Sequence, residues 1–185
     1  WTMAQSAWAA ELHQHGPGGR ILELCAGAGH IGLLALDLEG ANGVLVDIDP
    51  SACAYSATNA ARAGLRDAVE IRCTPMTEAI HPAETFSVVI ADPPWVSSGG
   101  IVEFPEDPVL AIDGGPDGLD LARSCLSVAD TCLHPAGAVV LQLGNQGQVE
   151  QISRWLEDSG LDLQIWEWRS YEPFGVLVGL RRAGR

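Results

Sequence analysis

Apolar positions fall in two rhythms along the 185 residues. Short, almost unbroken apolar runs occupy 20–24, 43–46, 68–72, 86–91 and 138–143, and two more at 161–168 and 176–181. Runs of this length, bounded by Gly, Pro or acids, predict strands buried on both faces. Between them lie longer segments with helical spacing: 1–15, 32–40, 50–64, 119–133 and 149–159. Gly16-Pro17-Gly18-Gly19 ends the first and His134-Pro135 the fourth. Strands alternating with helices predict a mostly parallel sheet covered by helices. The last two runs are joined too closely for a parallel crossover, so they are expected to pair antiparallel. The length suits one α/β domain over 1–185, with 1–19 as an N-terminal helix and linker.

The run 86–91 ends in Asp92-Pro93-Pro94-Trp95. Each proline locks its own φ and donates no hydrogen bond, so the neighbouring carbonyls are held stiffly as acceptors. An acid, rigid carbonyls and a flat ring at a strand's carboxyl end form a holder for a planar group bearing NH2. A Pro-rich strand exit with a surface Trp is the plainer alternative. The segment after it, 96–118, is the longest irregular piece and is rich in Gly, Pro and acid. Loops of that length inside compact domains are usually functional.

The run 20–24 leads into Cys25-Ala26-Gly27-Ala28-Gly29-His30-Ile31-Gly32. Gly27, Gly29 and Gly32 make the G-x-G-x-x-G pattern, which lets the backbone turn tightly and approach a ligand. Alone it serves a dinucleotide or another adenosyl cofactor equally. Asp47, ending the second strand run, can accept hydrogen bonds from both ribose hydroxyls of either. Glu23 discriminates. An acid there repels a pyrophosphate and suits a ligand carrying an ammonium, which favours S-adenosyl-L-methionine over NAD; a backbone-turn cap is its structural alternative.

Charge narrows the partners. The net charge is −14 and the chain contains no Lys. Such a surface repels phosphate backbones, so a protein partner is expected ahead of nucleic acid. The acids Glu103, Glu106, Asp107, Asp113 and Asp117 place the same repulsion in the 96–118 loop. Arg181, Arg182 and Arg185 read as a solvated tail. Five cysteines without Cys-x-x-Cys spacing argue against a disulfide framework or a zinc site, and suggest small buried thiols in a cytoplasmic protein. No histidine has metal-ligand spacing, so no metal is expected. No apolar run is long enough to span a bilayer. The sequence assigns no oligomeric state.

Glu23 to Gly32, Val46-Asp47-Ile48-Asp49-Pro50 with Asn59-Ala60, Asp92 to Trp95, Asp113-Gly114-Gly115-Pro116-Asp117-Gly118-Leu119-Asp120 and Leu141-Gln142-Leu143-Gly144 together resemble the class I S-adenosylmethionine-dependent methyltransferases. More narrowly the chain resembles the catalytic domain of the HemK-type protein-(glutamine-N5) methyltransferases, which modify release factors. The resemblance runs from about residue 20 onward and implies a Rossmann-like, mostly parallel seven-stranded sheet with an antiparallel last strand and helices on both faces. It implies that Glu23 holds the methionine ammonium and that Ala26, Gly27 and Gly29 line the cofactor. Asp47 then takes the ribose, and Ile48 and Met76 face the adenine. Asp92, Pro93, Pro94 and Trp95 hold the acceptor nitrogen, Asp92 also lying beside the cofactor. Three features depart from the family: Asp92 and Trp95 replace its Asn and Tyr, Pro75 stands where an acid near the adenine is usual, and its N-terminal substrate-recognition domain is absent from this sequence. The first departure keeps a nucleobase exocyclic amine open as acceptor. An NAD-dependent oxidoreductase and a non-catalytic binding protein are the readings outside methyl transfer.

Overall fold

In the computed structural model the described residues are 2–103, 105–106, 108–171 and 174–184. Trp1, Phe104, Asp107 and Arg185, used in the sequence reading, lie outside them. Seven strands form one sheet: β1 (Arg20–Leu24), β2 (Gly43–Asp47), β3 (Val69–Cys73), β4 (Phe86–Ala91), β5 (Leu133–Leu143), β6 (Leu163–Ser170) and β7 (Val176–Arg182). Their order is β3-β2-β1-β4-β5-β7-β6. The first five pair in parallel, and β7 runs antiparallel to both β5 and β6. The expected parallel sheet with a hairpin-like ending is therefore present, with β7 wedged between its partner and β5.

Helices cover both faces. α1 (Thr2–Gln14), α2 (His30–Glu39) and α3 (Pro50–Arg62) belong with the cluster built on Trp8, Ile21, Ile31, Leu36, Leu45, Ile90 and Leu177. α5 (Asp120–Cys132) and α6 (Gln146–Ser159) pack with Leu22, Val46, Phe86, Val89, Leu141 and Val178 on the other face. Alternate residues of one strand thus feed opposite layers, and every residue of β4 is buried. The helix ends follow local chemistry. Asp49 caps α3 by accepting from the Ser51 N–H (2.8 Å), with Pro50 in the first turn. Gly40 and Gly160 end α2 and α6 in the left-handed conformation.

Several boundaries differ from expectation. α2 begins at His30, so Gly32 lies inside its first turn. α5 ends at Cys132, and residues 133–135 belong to β5 because Leu133 pairs with Phe86 across a register shift. Pro135 is tolerated there at an irregular, exposed strand start. The 96–118 loop carries a 3-10 turn (Ile101–Glu103), a one-turn helix α4 (Val109–Ile112) and a bridge from Val96 to Asp113.

Other side chains were placed differently by folding. Arg181 and Arg182 are in β7: the former stacks over Trp166 (5.1 Å) and the latter pairs with Asp130 (2.8 Å). Trp8 is core, edge-on to Trp166 (6.1 Å) with Arg169 over its ring (4.0 Å). Trp168, on β6, is 42% exposed. Cys73 is exposed and Cys25 half-buried, so two of the five free thiols are not the buried residues expected.

Candidate active site

The sheet order reverses at β1, whose neighbours are β2 and β4; helices leave to opposite sides there and open a crevice at the strands' carboxyl ends. Leu24 pairs with Val46 on one side and Ala91 on the other. Asp47 and Asp92 therefore follow at the same height, flanking the loop that starts at Cys25. Three acids, Glu23, Asp47 and Asp92, converge on that crevice from adjacent strands.

Glu23 is almost wholly buried (1% exposed), and neither carboxylate oxygen has a hydrogen-bond partner. Burial pushes its carboxyl well above the usual carboxylate range; the Gly32 N–H lowers it in part without completing a hydrogen bond, and the charges of Asp92 and Asp47 raise it further. A buried acid with orphaned oxygens is costly unless a cation or proton meets it.

The glycine loop is held by cross-links from its surroundings. The Ala26 N–H donates to the Val46 carbonyl (3.0 Å), and the Gly27 N–H to Asp47 Oδ2 (2.7 Å). Ser56 Oγ and Asn59 Nδ2, both on α3, donate to the carbonyls of Gly27 (2.9 Å) and Ala28 (3.0 Å). Gly29 has φ 76°, and a Cβ there would press on Leu45 and Ser56 at 2.7 Å, so only glycine fits. Cys25 also has a positive φ, 57°. Asp47 accepts from the Asp49 N–H through Oδ1 (2.9 Å); each of its oxygens keeps a further lone pair for an outside donor. Ile48 is 56% exposed beside it, an apolar side chain open to a flat ligand. Met76 is half-buried across the crevice, its Sδ 3.8 Å from the Cys125 sulfur, which lies 3.9 Å from that of Cys25. These residues fit S-adenosylmethionine: a buried acid without a donor for the ammonium, a left-handed glycine turn for close approach, and an acid at the ribose position.

Asp92 is recessed, and burial raises its carboxyl to about 6. Among the described residues, no donor bonds its side chain or the Pro93 carbonyl. Pro94 and Trp95 carry the chain into the loop. The Trp95 carbonyl accepts from Gln148 Nε2 (2.9 Å), and the Trp95 ring lies against Gly144. Two of the loop acids, Asp113 and Asp117, serve the loop itself. Asp113 accepts from the Gly115 N–H (2.9 Å) and Ser98 (2.8 Å), and Asp117 from the Leu119 N–H (3.1 Å) and Arg123 (2.6 Å). The structure places the residues that the sequence reading assigned to the cofactor loop and to the strand exit at the same end of the sheet. Sequence reasoning missed Gln5, Ser56 and Gln148, whose polar side chains on helices give no sequence signal of where they point.

The strand order with its antiparallel ending is the Rossmann-like fold of solved methyltransferase domains. The hMettl16 catalytic domain in complex with the MAT2A 3'UTR hairpin 1 superposes with TM-score 0.75 over 97% of this chain and 69% of that one, at 13% identity. The chain belongs to the family described as conserved hypothetical protein 95, which matches residues 4–106. It is 38% identical over 177 residues to the release factor glutamine methyltransferase of Rhodospirillum rubrum, covering 91% of this chain and 53% of that protein. It is 34% identical over 132 residues to the ribosomal protein uL3 glutamine methyltransferase of Bordetella pertussis, covering 69% and 44%. The chain thus spans about half the length of the curated relatives it matches. Among the described residues no helix is long and apolar enough to cross a membrane.

Proposed function

We propose that this chain is the catalytic domain of an S-adenosylmethionine-dependent N-methyltransferase acting, in the cytoplasm, on the side-chain amide of a protein glutamine. The observation that carries the reading is the pair of open acceptors, the Asp92 carboxylate and the Pro93 carbonyl, beside the orphaned carboxylate of Glu23. The names of the two glutamine methyltransferases support the amide as acceptor and a release factor or ribosomal protein as its bearer.

Bound in the crevice, S-adenosylmethionine would supply an electrophilic methyl on a sulfonium. Glu23 holds the ammonium, and the turn through Ala26, Gly27 and Gly29 lets the backbone come close. Asp47 takes the ribose hydroxyls, while Ile48 and Met76 enclose the adenine. Asp92 and the Pro93 carbonyl accept the two N–H groups of the amide and turn its lone pair toward the methyl. That alignment is the main catalytic contribution. As positive charge builds on nitrogen, the Asp92 carboxylate stabilises it and receives the released proton. Pro94 keeps the exit rigid, and Trp95 offers a ring against the acceptor plane.

A second reading, methylation of a nucleobase exocyclic amine, is favoured by the carboxylate at Asp92. Labelled-methyl transfer to a release factor, to uL3, and to RNA and DNA separates the two. Transfer to protein that is lost in Asp92→Ala supports the first. Transfer only to nucleic acid overturns it, and undiminished turnover in Asp92→Ala removes Asp92 from the mechanism.

A further inference from the structure

The Trp95 platform is held from behind by one buried polar side chain. Gln148, on α6, is 6% exposed. Its Oε1 accepts from the Gly144 N–H (2.7 Å) and its Nε2 donates to the Trp95 carbonyl (2.9 Å), 53 residues away in sequence. Both ends of the amide are used, so it bridges the β5–α6 turn and the strand exit in one orientation. Three glycines leave room for that bridge. A Cβ on Gly144 would overlap the Trp95 ring, meeting Cδ2 and Cζ3 at 2.9 Å. A Cβ on Gly118 would strike the Trp95 carbonyl and come within 2.8 Å of Gln148 Nε2. A Cβ on Gly114 would meet the Pro94 carbonyl at 2.6 Å. The Gly-rich return of the 96–118 loop and the turn after β5 therefore clasp Pro94 and Trp95 by backbone alone.

We propose that Gln148 is a positioning residue for the acceptor site: by fixing the Trp95 carbonyl and seating its ring on Gly144, it sets where the acceptor nitrogen lies relative to Asp92 and the Pro93 carbonyl. This rests on the N-methyltransferase reading above. The Gln148 side-chain bonds run to Gly144 and Trp95 and to nothing in the cofactor loop, so it acts on the acceptor side and not on cofactor affinity. Gln148→Met removes both bonds at similar length. Gln148→Glu retains an acceptor for the Gly144 N–H but, when ionised, turns a lone pair toward the Trp95 carbonyl; when protonated it regains a donor.

The test uses the full chain, labelled methyl transfer to whichever acceptor the parent methylates, and calorimetric binding of S-adenosylhomocysteine. In Gln148→Met, kcat falls roughly 10- to 100-fold, the cost of a misplaced reacting group, while S-adenosylhomocysteine affinity stays within about twofold, well below the tenfold that 1.4 kcal/mol represents. In Gln148→Glu, the ratio of variant to parent kcat rises as pH falls, which a merely structural role does not produce. If Gln148→Met is insoluble, the near-isosteric Gln148→Glu carries the test. A parent that is active with variants matching its kcat overturns this inference alone, as does cofactor affinity falling in step with kcat. A parent that binds S-adenosylhomocysteine yet methylates neither amide nor nucleobase overturns the function and this inference together.

Discussion

A methyl group added to Gly32 would overlap Glu23 Oε2 and come within 3.0 Å of its carboxyl carbon. The first turn of α2 and the last buried acid of β1 are thus packed backbone to carboxylate. Gly32→Ala must push Glu23 or Leu45, whose Cδ1 lies 3.2 Å from the same point. Overpacking of this kind costs roughly 1–3 kcal/mol. The expected result is a lower urea midpoint together with weakened S-adenosylhomocysteine binding; an unchanged midpoint would show that the carboxylate moves freely.

Glu23 links cofactor affinity to pH. Its carboxyl is raised chiefly by burial, so without cofactor it holds its proton at higher pH than a free glutamate does. A cationic ammonium needs it ionised. Binding therefore releases a proton, and affinity climbs with pH until the pH passes the Glu23 value in the empty protein. Calorimetry in two buffers of different ionisation enthalpy reads that proton directly. Glu23→Gln should lose the proton release and about 2–5 kcal/mol of cofactor affinity, as for one partner removed from a buried charge pair. The fold gains in the same variant. An acid raised on folding costs stability progressively as pH climbs from its unfolded value to its folded one, so near neutrality Glu23→Gln should resist urea at least as well as the parent.

Asp92 gives the turnover its own acid limb. With its carboxyl near 6, the acceptor is held by a carboxylate only above that pH. Turnover at saturating cofactor should rise about tenfold per unit on an acid limb and then level off, as expected for one essential base, with the bend at or below the empty-protein value because the bound cation favours the carboxylate. Asp92→Asn removes the titration, so the limb should vanish from its profile. A limb of equal midpoint in that variant would assign the titration to another group.

Cys25 sits at φ 57° at the start of the cofactor loop. A left-handed backbone costs a residue with a side chain roughly 1–2 kcal/mol, and glycine avoids that cost at the loss of contact with Cys125. Cys25→Gly should stay within about 1 kcal/mol of the parent, whereas Cys25→Val, branched at Cβ, should lose more stability and cofactor binding. Equal melting temperatures for the two variants would rule out backbone strain at this position.

The sheet and the strand exit could be read from sequence because buried strands announce themselves as unbroken apolar runs, and Glu23, Asp47 and Asp92 stand out as acids at their ends. The loop after Trp95 was legible as Gly- and acid-rich and, at 113–120, as a run resembling the family's, but not in the pairing of its side chains. Its acids looked like a charged mouth, yet Asp113 and Asp117 accept from backbone N–H groups within the loop, a local pairing that composition does not reveal. Gln5 shows the same limit. It is fully buried on α1 and donates to the carbonyls of Ala91 (3.0 Å) and Val140 (3.2 Å), 86 and 135 residues away. Contacts at such separations depend on how layers stack, and no window of sequence contains both partners. Arg182, read as part of a solvated tail, was misjudged for the same reason.

The wedge made by β7 has a consequence for how the chain is completed. β6 is hydrogen-bonded to the sheet only through β7, although it precedes β7 in sequence. During synthesis β6 must wait beside an open β5 edge until β7 emerges and slots between them. A chain halted before residue 176 would lose both strands from the sheet rather than one. It would leave the β5 backbone edge, with Leu141 and Leu143, ready to pair with other nascent chains. β7 is the clasp that closes that edge and ties β6 to the sheet.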